Sequence, residues 1–353
     1  MFKKIFIPLL IILVSLLFLT SCSSETNTED SIASVSIPDA TLNNCIGFLT
    51  AQTRELEAII KIGGAWTRPH PGPFTWGWIE EDGEYDFSIT DDWVQEAGET
   101  GVAILPTLWP YQEFDQLSCH EASECEVSEN DQFRSDFVIG DTMKSFSIPK
   151  YRCAPCDYDA YSNFLKALVE RYDGDAIDDM EDLQVPILYW EIGNEPELNE
   201  DFLTFFKEDK SAYLTLLKNS YLAIKEVCPN CQVLHGGAAG TYTEMIRYWE
   251  ELFDLGATEY FDIANIHYIG GPDATTLNVR EFKEILDERG IEKEIWVTEA
   301  DVNSEEEIVS GLVGALESGA SKVFFTQFDI PEHGLPLSGE YSAVYEGIAQ
   351  YCE

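Results

Sequence analysis

For most of its length the chain alternates short apolar runs, which read as strands, with amphipathic runs, which read as helices. The strand-like runs are Gly64–Pro69, Val102–Leu108, Val185–Glu191, Val233–His235, Phe261–His267, Glu294–Thr298 and Val323–Phe328. The helix-like runs are Glu55–Lys61, Thr90–Glu99, Tyr158–Tyr172, Ser211–Val227, Thr243–Leu255, Val279–Glu288, Glu305–Leu316 and a closing Tyr341–Tyr351. In Ser211–Val227, for example, Leu214, Leu217, Tyr221 and Ile224 recur at helical spacing. Short apolar strands separated by helices imply parallel βαβ units. Seven strands are clear, and an eighth would close a cylinder. The missing one should precede Glu55, near Ser34–Ile37 or Cys45–Leu49. The expected fold is therefore α/β, a (β/α)8 TIM barrel in a single domain. Tyr111–Asp157 lacks periodicity and carries four cysteines. It reads as a long insertion after strand 3, stapled by disulfides at the mouth of the barrel, where such loops shape specificity.

Two of the strand-like runs close on a glutamate: Tyr189-Trp190-Glu191-Ile192-Gly193-Asn194-Glu195-Pro196 and Ile295-Trp296-Val297-Thr298-Glu299-Ala300-Asp301. Barrels of this type carry their chemistry at the C-terminal ends of the strands. Two carboxyl groups flanking one bond suit the cleavage of a sugar acetal, one protonating the leaving oxygen and the other attacking the anomeric carbon. Glu191 reads instead as part of a polar layer inside the barrel, and His235 is open between core and site. Trp76 and Trp78 follow the second strand and Trp109 ends the third. Sugar rings stack their C–H faces on indole, so these three are candidate sugar contacts. Trp66, inside a strand run, reads as core.

With Val323 on the eighth strand, Glu299 falls on the seventh and Glu195 on the fourth. In that register the sequence resembles glycoside hydrolase clan A, the retaining (β/α)8-barrel glycosidases. Asn194-Glu195-Pro196 resembles the clan's acid/base signature, Glu299 its nucleophile, Trp66-Thr67-Arg68 its second-strand arginine and His267-Tyr268 its sixth-strand pair. The likeness runs from roughly Glu55 to Asp329. It implies that Glu299 attacks, that Arg68 keeps it charged, and that the charge on Glu299 raises Glu195. It further implies that Asn194 binds the sugar 2-hydroxyl, that Tyr268 donates to Glu299, and that His267 and His70 bind hydroxyls. The clan often has a tryptophan on the eighth strand. Here the run is Phe324-Phe325-Thr326-Gln327-Phe328-Asp329, so Phe325 or Gln327 would take its place. Within the clan the motifs look most like families 39 and 5, which include β-xylosidases, endoglucanases and mannanases. The implied activity is retaining hydrolysis of β-linked poly- or oligosaccharides, without cofactor or metal. A catalytically silent carbohydrate-binding lipoprotein and a transglycosylase are the alternatives.

The start of the chain reads as an export leader. Lys3 and Lys4 precede an apolar run, Ile5–Leu19, that is short for a membrane span. Leu19-Thr20-Ser21-Cys22 resembles the bacterial lipobox, the alternative being an ordinary secretory peptide cut nearby. The expected organisation is a leader over 1–21, a lipidated Cys22 with an acidic tether over 22–36, and the barrel over 37–353. Such a protein would sit at the cell envelope or surface, touching the membrane only through its lipid, as a monomer. Of nine cysteines, eight remain after Cys22. Disulfides suit an exported chain. A structural zinc on Cys153/Cys156 and Cys228/Cys231 is the alternative. A net charge of −44 argues against nucleic-acid partners and disfavours anionic polysaccharides. The acidic run of Asp173, Asp175, Asp178, Asp179, Glu181 and Asp182 reads as a solvated turn, with calcium as the alternative.

Overall fold

Parallel strands that each need a helical return can satisfy their edges only by closing on themselves, and this chain does so. The computed structural model describes residues 34–50, 53–135, 148–302, 305–326 and 349–352. The wall strands are β1 (Ile46–Thr50), β2 (Trp66–Pro69), β3 (Ala103–Ile104 and Thr107–Leu108), β4 (Tyr189–Ile192), β5 (Gln232–His235), β6 (Ile263–Tyr268), β7 (Glu294–Ala300) and β8 (Ala320–Phe325). They pair in chain order, and β8 returns to β1 with Ile46 opposite Val323. Closure rests on β3. Its first segment pairs with β2 (Trp66 opposite Ala103) and its second with β4 (Thr107 opposite Glu191). Leu105-Pro106 lies between the segments, and the strand changes neighbour there. Proline has no N–H to give a ladder, and the Pro106 carbonyl accepts instead from Glu191 N, 3.1 Å away.

The returning helices are α1 (Leu56–Lys61), α2 (Ser88–Thr100), α3 (Tyr158–Glu170), α4 (Lys210–Val227), α5 (Thr243–Asp254), α6 (Val279–Glu288) and α7 (Glu305–Glu317). Asp157 and Asp209 cap α3 and α4, each carboxylate accepting from two backbone N–H groups of the first turn. Of the two proposed first strands, Cys45–Leu49 is the one that forms. Ile37 instead packs at the bottom of the cylinder with Trp66, Ala103, Leu234, Trp296 and Phe324.

Alternation along the strands sorts the interior into two layers. The inward side chains at the lower level are apolar. Tyr189 stacks on Trp296 at 4.9 Å, and Trp66 meets Trp296 edge-on at 5.5 Å. Gly47 makes this possible, since a β-carbon there would collide with the Phe324 ring. One step further along the strands the inward side chains are polar: Arg68, Thr107, Glu191, Asn265, His267 and Thr298, all buried. The apolar floor keeps water from reaching these groups from below, so their charges interact in a low dielectric.

The insertion after β3 contains helices Glu113–Cys119 and Ala122–Cys125 and a two-residue pairing of Arg134–Ser135 with Ile148–Pro149. Cys119–Cys156 and Cys125–Cys153 staple it. Cys45–Cys352 ties the start of β1 to the end of the chain, and Cys228–Cys231 closes the turn into β5. Both C-x-x-C pairs are thus spent in disulfides, as the disulfide reading expected. The acidic run after α3 folds as a turn in which the Asp179 carboxylate accepts from Gly174 N and Ala176 N at 3.0 and 2.7 Å. Burial, with Asp175, Glu170 and Asp179 nearby, pushes Asp173 up to about 7. All described residues belong to one unit, Ala33–Glu353. Residues 1–33 lie outside the described ones, and with them the leader, Cys22 and most of the tether.

Candidate active site

The carboxyl groups of Glu195 and Glu299 meet at the C-terminal mouth of the barrel. One oxygen of each, together with a His267 ring nitrogen, forms a set whose members all lie within 4.8 Å of one another. The backbone explains how Glu195 reaches this point. Tyr213 Oη donates to Ile192 O and accepts from Gly236 N, at 2.9 and 2.7 Å, locking the end of β4 to that of β5. The chain then turns sharply, with Gly193 at φ 69° and Glu195 at φ 37°. The left-handed region is costly for glutamate. Glu195 is held there by its N–H on Gly236 O at 2.5 Å and by Leu198 N on its carbonyl at 3.0 Å. Gly236 is needed because a β-carbon would collide with Ile192 O.

Arg68 organises the polar layer. Its Nε donates to Glu191 at 2.7 Å, Nη1 to Glu299 at 3.0 Å and Nη2 to Asn194 Oδ1 at 2.6 Å. Glu191 also accepts from Thr107 Oγ1 at 2.6 Å, Asn265 Nδ2 at 2.6 Å and Thr298 Oγ1 at 3.0 Å. Burial pushes the Glu191 carboxyl up, but Arg68 and His267 outweigh it and hold the group well below the usual carboxylate range. It is a fixed anion of the scaffold, as its place in the sequence suggested.

His267 Nδ1 lies 2.7 Å from Glu195 Oε1, and Nε2 lies 2.9 Å from Thr298 Oγ1. Burial works against a charged imidazole here. The carboxylates of Glu191, Glu195 and Glu299 outweigh it and hold His267 up to about 9. At neutral pH both ring nitrogens therefore carry protons, and Nδ1 donates to Glu195. Two cations, Arg68 and His267, face three carboxyl groups. Burial pushes Glu299 above its ordinary value; His267 and Arg68 oppose the rise and the Glu195 charge adds to it. Arg68 does bond Glu299, as expected, but Glu191 shares its charge.

Glu195, His267 and Glu299 have the donor atoms for a divalent cation. The His267 nitrogen facing Glu195 is already protonated, however, and Arg68 occupies Glu299 Oε2. Proton transfer suits the arrangement better than metal ligation. Asn194 Nδ2 is buried and has no hydrogen-bond partner among the described residues. It is a donor held ready beside the two acids.

Several proposed contacts fall elsewhere. Trp76 is 2% exposed and stacks on Phe164 beneath α3, so it belongs to the core. Trp78, on the same short helix Trp76–Ile79, is half-buried. Trp109 is also buried, donating to Pro71 O at 2.6 Å and lying against Phe205 and His70. It braces the rim and offers no free face to a sugar. His70 sits among Trp109, Phe133 and Phe205, and its Nδ1 has no hydrogen-bond partner among the described residues. Burial and Arg68 push it well below its ordinary value, so it is neutral.

Tyr268 does not donate to Glu299. It follows the inward-pointing His267 and so faces outward, toward Asp301, Asp273, Tyr242 and Glu307. Phe325 likewise follows the inward Phe324 and packs against Phe48 outside the wall. It cannot line the sugar site, and Gln327 lies outside the described residues. His235 faces outward among Trp249, Phe253 and Phe261, a core histidine accepting from Asn265 N at 2.9 Å.

Sequence reasoning missed Asn265, Thr298 and Glu197. Counting back by twos from His267 would have found Asn265 as an inward residue. Glu197 gave no such signal. Its Oε1 accepts from Ala239 N and Trp249 Nε1 at 2.7 and 2.8 Å, and Oε2 has no hydrogen-bond partner among the described residues. Burial pushes it up to about 8, from an ordinary 4.5. The folded chain therefore keeps a proton that the unfolded chain releases. This contribution to stability is complete below about pH 4.5 and is lost as the pH rises toward 8. Glu197→Gln is expected to make stability less dependent on pH, narrowing the gap between urea unfolding at pH 5 and pH 8 by a few kcal/mol. An unchanged gap would exonerate Glu197.

No family model matches the chain, and no curated protein matches it in sequence. Solved structures do. A glucosidase from Croceicoccus marinus superposes with a TM-score of 0.60 at 14% identity, over 91% of this chain and 69% of that one. A family 39 glycoside hydrolase from the gut symbiont Bacteroides cellulosilyticus gives 0.56 at 18% identity, over 87% of this chain and 64% of that one. A family 30 endoxylanase from Clostridium papyrosolvens gives 0.54 at 16% identity, over 90% of this chain and 73% of that one. At these identities the likeness is one of fold: the chain has the (β/α)8 architecture of these glycoside hydrolases.

Proposed function

We propose that this protein is a retaining β-glycosidase acting on oligo- or polysaccharides, with Glu299 as nucleophile and Glu195 as general acid and base. The observation that carries the reading is the approach of the two carboxyl groups to within 4.8 Å. Retaining enzymes hold their acids about 5–5.5 Å apart, whereas inverting ones leave about 6.5–9.5 Å for a water molecule. In the first step Glu299 attacks the anomeric carbon while Glu195 gives its proton to the leaving oxygen. This step needs a protonated Glu195 and an ionised Glu299 when substrate is bound. Glycosylation then removes the charge from Glu299, and Glu195 takes a proton from the incoming water. Asn194 Nδ2 is the free donor for a sugar hydroxyl beside the reacting carbon, a bond that strengthens as charge develops there. The leader, Cys22 and the four disulfides among the described residues support an exported protein tethered to the envelope by lipid.

A panel of aryl β-glycosides tests the reading. Wild type should release phenol from at least one sugar. Glu195→Ala should lower the rate on a poor leaving group such as phenol by about 10²–10⁴-fold, the usual worth of a general acid. It should spare the first step on dinitrophenol, which needs little protonation. Equal loss on both would remove Glu195 from the role. No release from any sugar, by wild type or variant, would favour a silent carbohydrate binder. Product analysis with added acceptor sugar separates a transglycosylase.

A further inference from the structure

A buried ion pair is the centre of the bonds that fasten the loop carrying Glu195 to the disulfide-stapled insertion. After Glu195 the chain forms a small hairpin, Asn199–Glu200 paired with Leu203–Thr204. Its second strand is gripped at Thr204 by Asp131 and Arg152, both in the insertion. Asp131 Oδ2 accepts from Thr204 N at 2.9 Å, and Arg152 Nη1 donates to Thr204 O. Arg152 is fully buried and bonds Asp131 with both terminal nitrogens, at 3.2 and 3.1 Å. It is itself fixed within the insertion: Nε donates to Pro149 O at 2.8 Å and its backbone N to Cys125 O at 2.9 Å. Cys125–Cys153 and Cys119–Cys156 close the frame around it. Two further bonds join the insertion to the hairpin, Gln132 N to Phe202 O at 3.0 Å and Asn130 Nδ2 to Asp201 at 2.8 Å.

We propose that Arg152 and Asp131 are positioning residues for the acid/base: the insertion serves as an anchor that holds Glu195 in its left-handed backbone. This rests on the catalytic reading of Glu195 given above. Glu195 has φ 37°, and a strained residue persists only when its surroundings over-determine it. On its N-terminal side the restraint is Gly236 O. On its C-terminal side it is Leu198 N, bonded to Glu195 O, and Leu198 O accepts from Phe205 N at 3.4 Å, next to the clamped Thr204. Tyr111 Oη donates to Phe205 O from the strand side. Each link between the clamp and the acid is a backbone hydrogen bond or a peptide bond. Releasing the clamp frees the C-terminal side of the Glu195 turn while leaving Glu299, on β7 and bonded to Arg68 of β2, in place.

The test uses the full chain with Asp131→Asn, and Arg152→Lys as a second, conservative variant in case one fails to fold. Substrates are the phenyl and dinitrophenyl β-glycosides of the sugar accepted by wild type. Proton delivery is the step at risk, so kcat for the phenyl glycoside should fall by about tenfold or more, within the range of a misplaced general acid. The first step with the dinitrophenyl glycoside should change less than about twofold. Amide hydrogen exchange should speed up at Glu195 and Leu198 and stay unchanged on β7. Equal loss on both glycosides, or rates unchanged on both, overturns the proposal, since a merely structural clamp does not discriminate between leaving groups. If wild type releases no phenol at all, the catalytic reading fails separately. The clamp is then decided by exchange alone, and unchanged protection at Glu195 and Leu198 ends it.

Discussion

Glu299→Ala is expected to lower turnover by about 10⁴-fold or more on every substrate, good and poor leaving groups alike. On the proposed mechanism no glycosyl-enzyme can form without this carboxylate, and no other acid of the cluster is placed to replace it. Glu191 is spent on Arg68, Thr107, Asn265 and Thr298, and the proposed mechanism commits Glu195 to the leaving group. The pattern differs from that of Glu195→Ala, where the loss depends on the leaving group. Added azide should restore part of the rate, because the shortened side chain leaves room beside the anomeric carbon. The azide would attack from the face Glu299 uses, so its product should have inverted configuration. Retention of full activity, or rescue with retained configuration, would transfer the nucleophile's role to another group. The stability of the variant should change little, since Glu299 is among the more exposed of the clustered acids, its side chain 16% accessible.

Arg68→Met is expected to have the largest effect on stability, a loss of about 3–5 kcal/mol at neutral pH. Arg68 is fully buried and bonds two carboxylates and an amide. Removing one partner of a buried ion pair leaves the other charge without compensation. The sign of the pH dependence follows from Glu191, which Arg68 helps to hold below its ordinary value of 4.5. That contribution is present above pH 4.5 and is lost only as the pH falls through the depressed value. In the variant, Glu191 loses its main counter-charge and takes up a proton more readily. Urea unfolding should therefore show a wide gap between wild type and variant at pH 7 and a narrower one near pH 4.5. A loss below about 1 kcal/mol at pH 7 would mean that the polar layer rearranges around the missing cation. Activity should fall as well, because Asn194 and Glu299 lose the guanidinium that orients them.

How far the site could be read in advance depended on which physical rule governed each residue. Glu195 and Glu299 were legible because each ends an apolar strand run, and strand ends at one mouth of a barrel converge whatever the loops do. Tyr268 and Phe325 were misplaced although the rule for them was at hand. Adjacent strand residues point to opposite faces, so an inward His267 and Phe324 send their successors outward. Trp76 and Trp109 are a different case. An indole after a strand end is equally able to cover a helix or a sugar, and only the packing of Phe164 and Phe205 against them decided it. Glu197 was invisible because its partners, Ala239 and Trp249, lie on the next loop and helix.

The sequence alone determined the order of strands and helices and the strand ends that carry the two acids. These follow from local periodicity and from the geometry of parallel sheets, which long-range contacts do not alter. Tertiary structure alone decided how far apart the two acids lie, how Arg68 and His267 are set among the three carboxyl groups, and which cysteines join. It also decided that β3 changes neighbour at Pro106 and that Asp131 meets Arg152 and Thr204. The physical reason is that each of these depends on distance and on dielectric between residues remote in the chain, and neither quantity exists until the cylinder has closed.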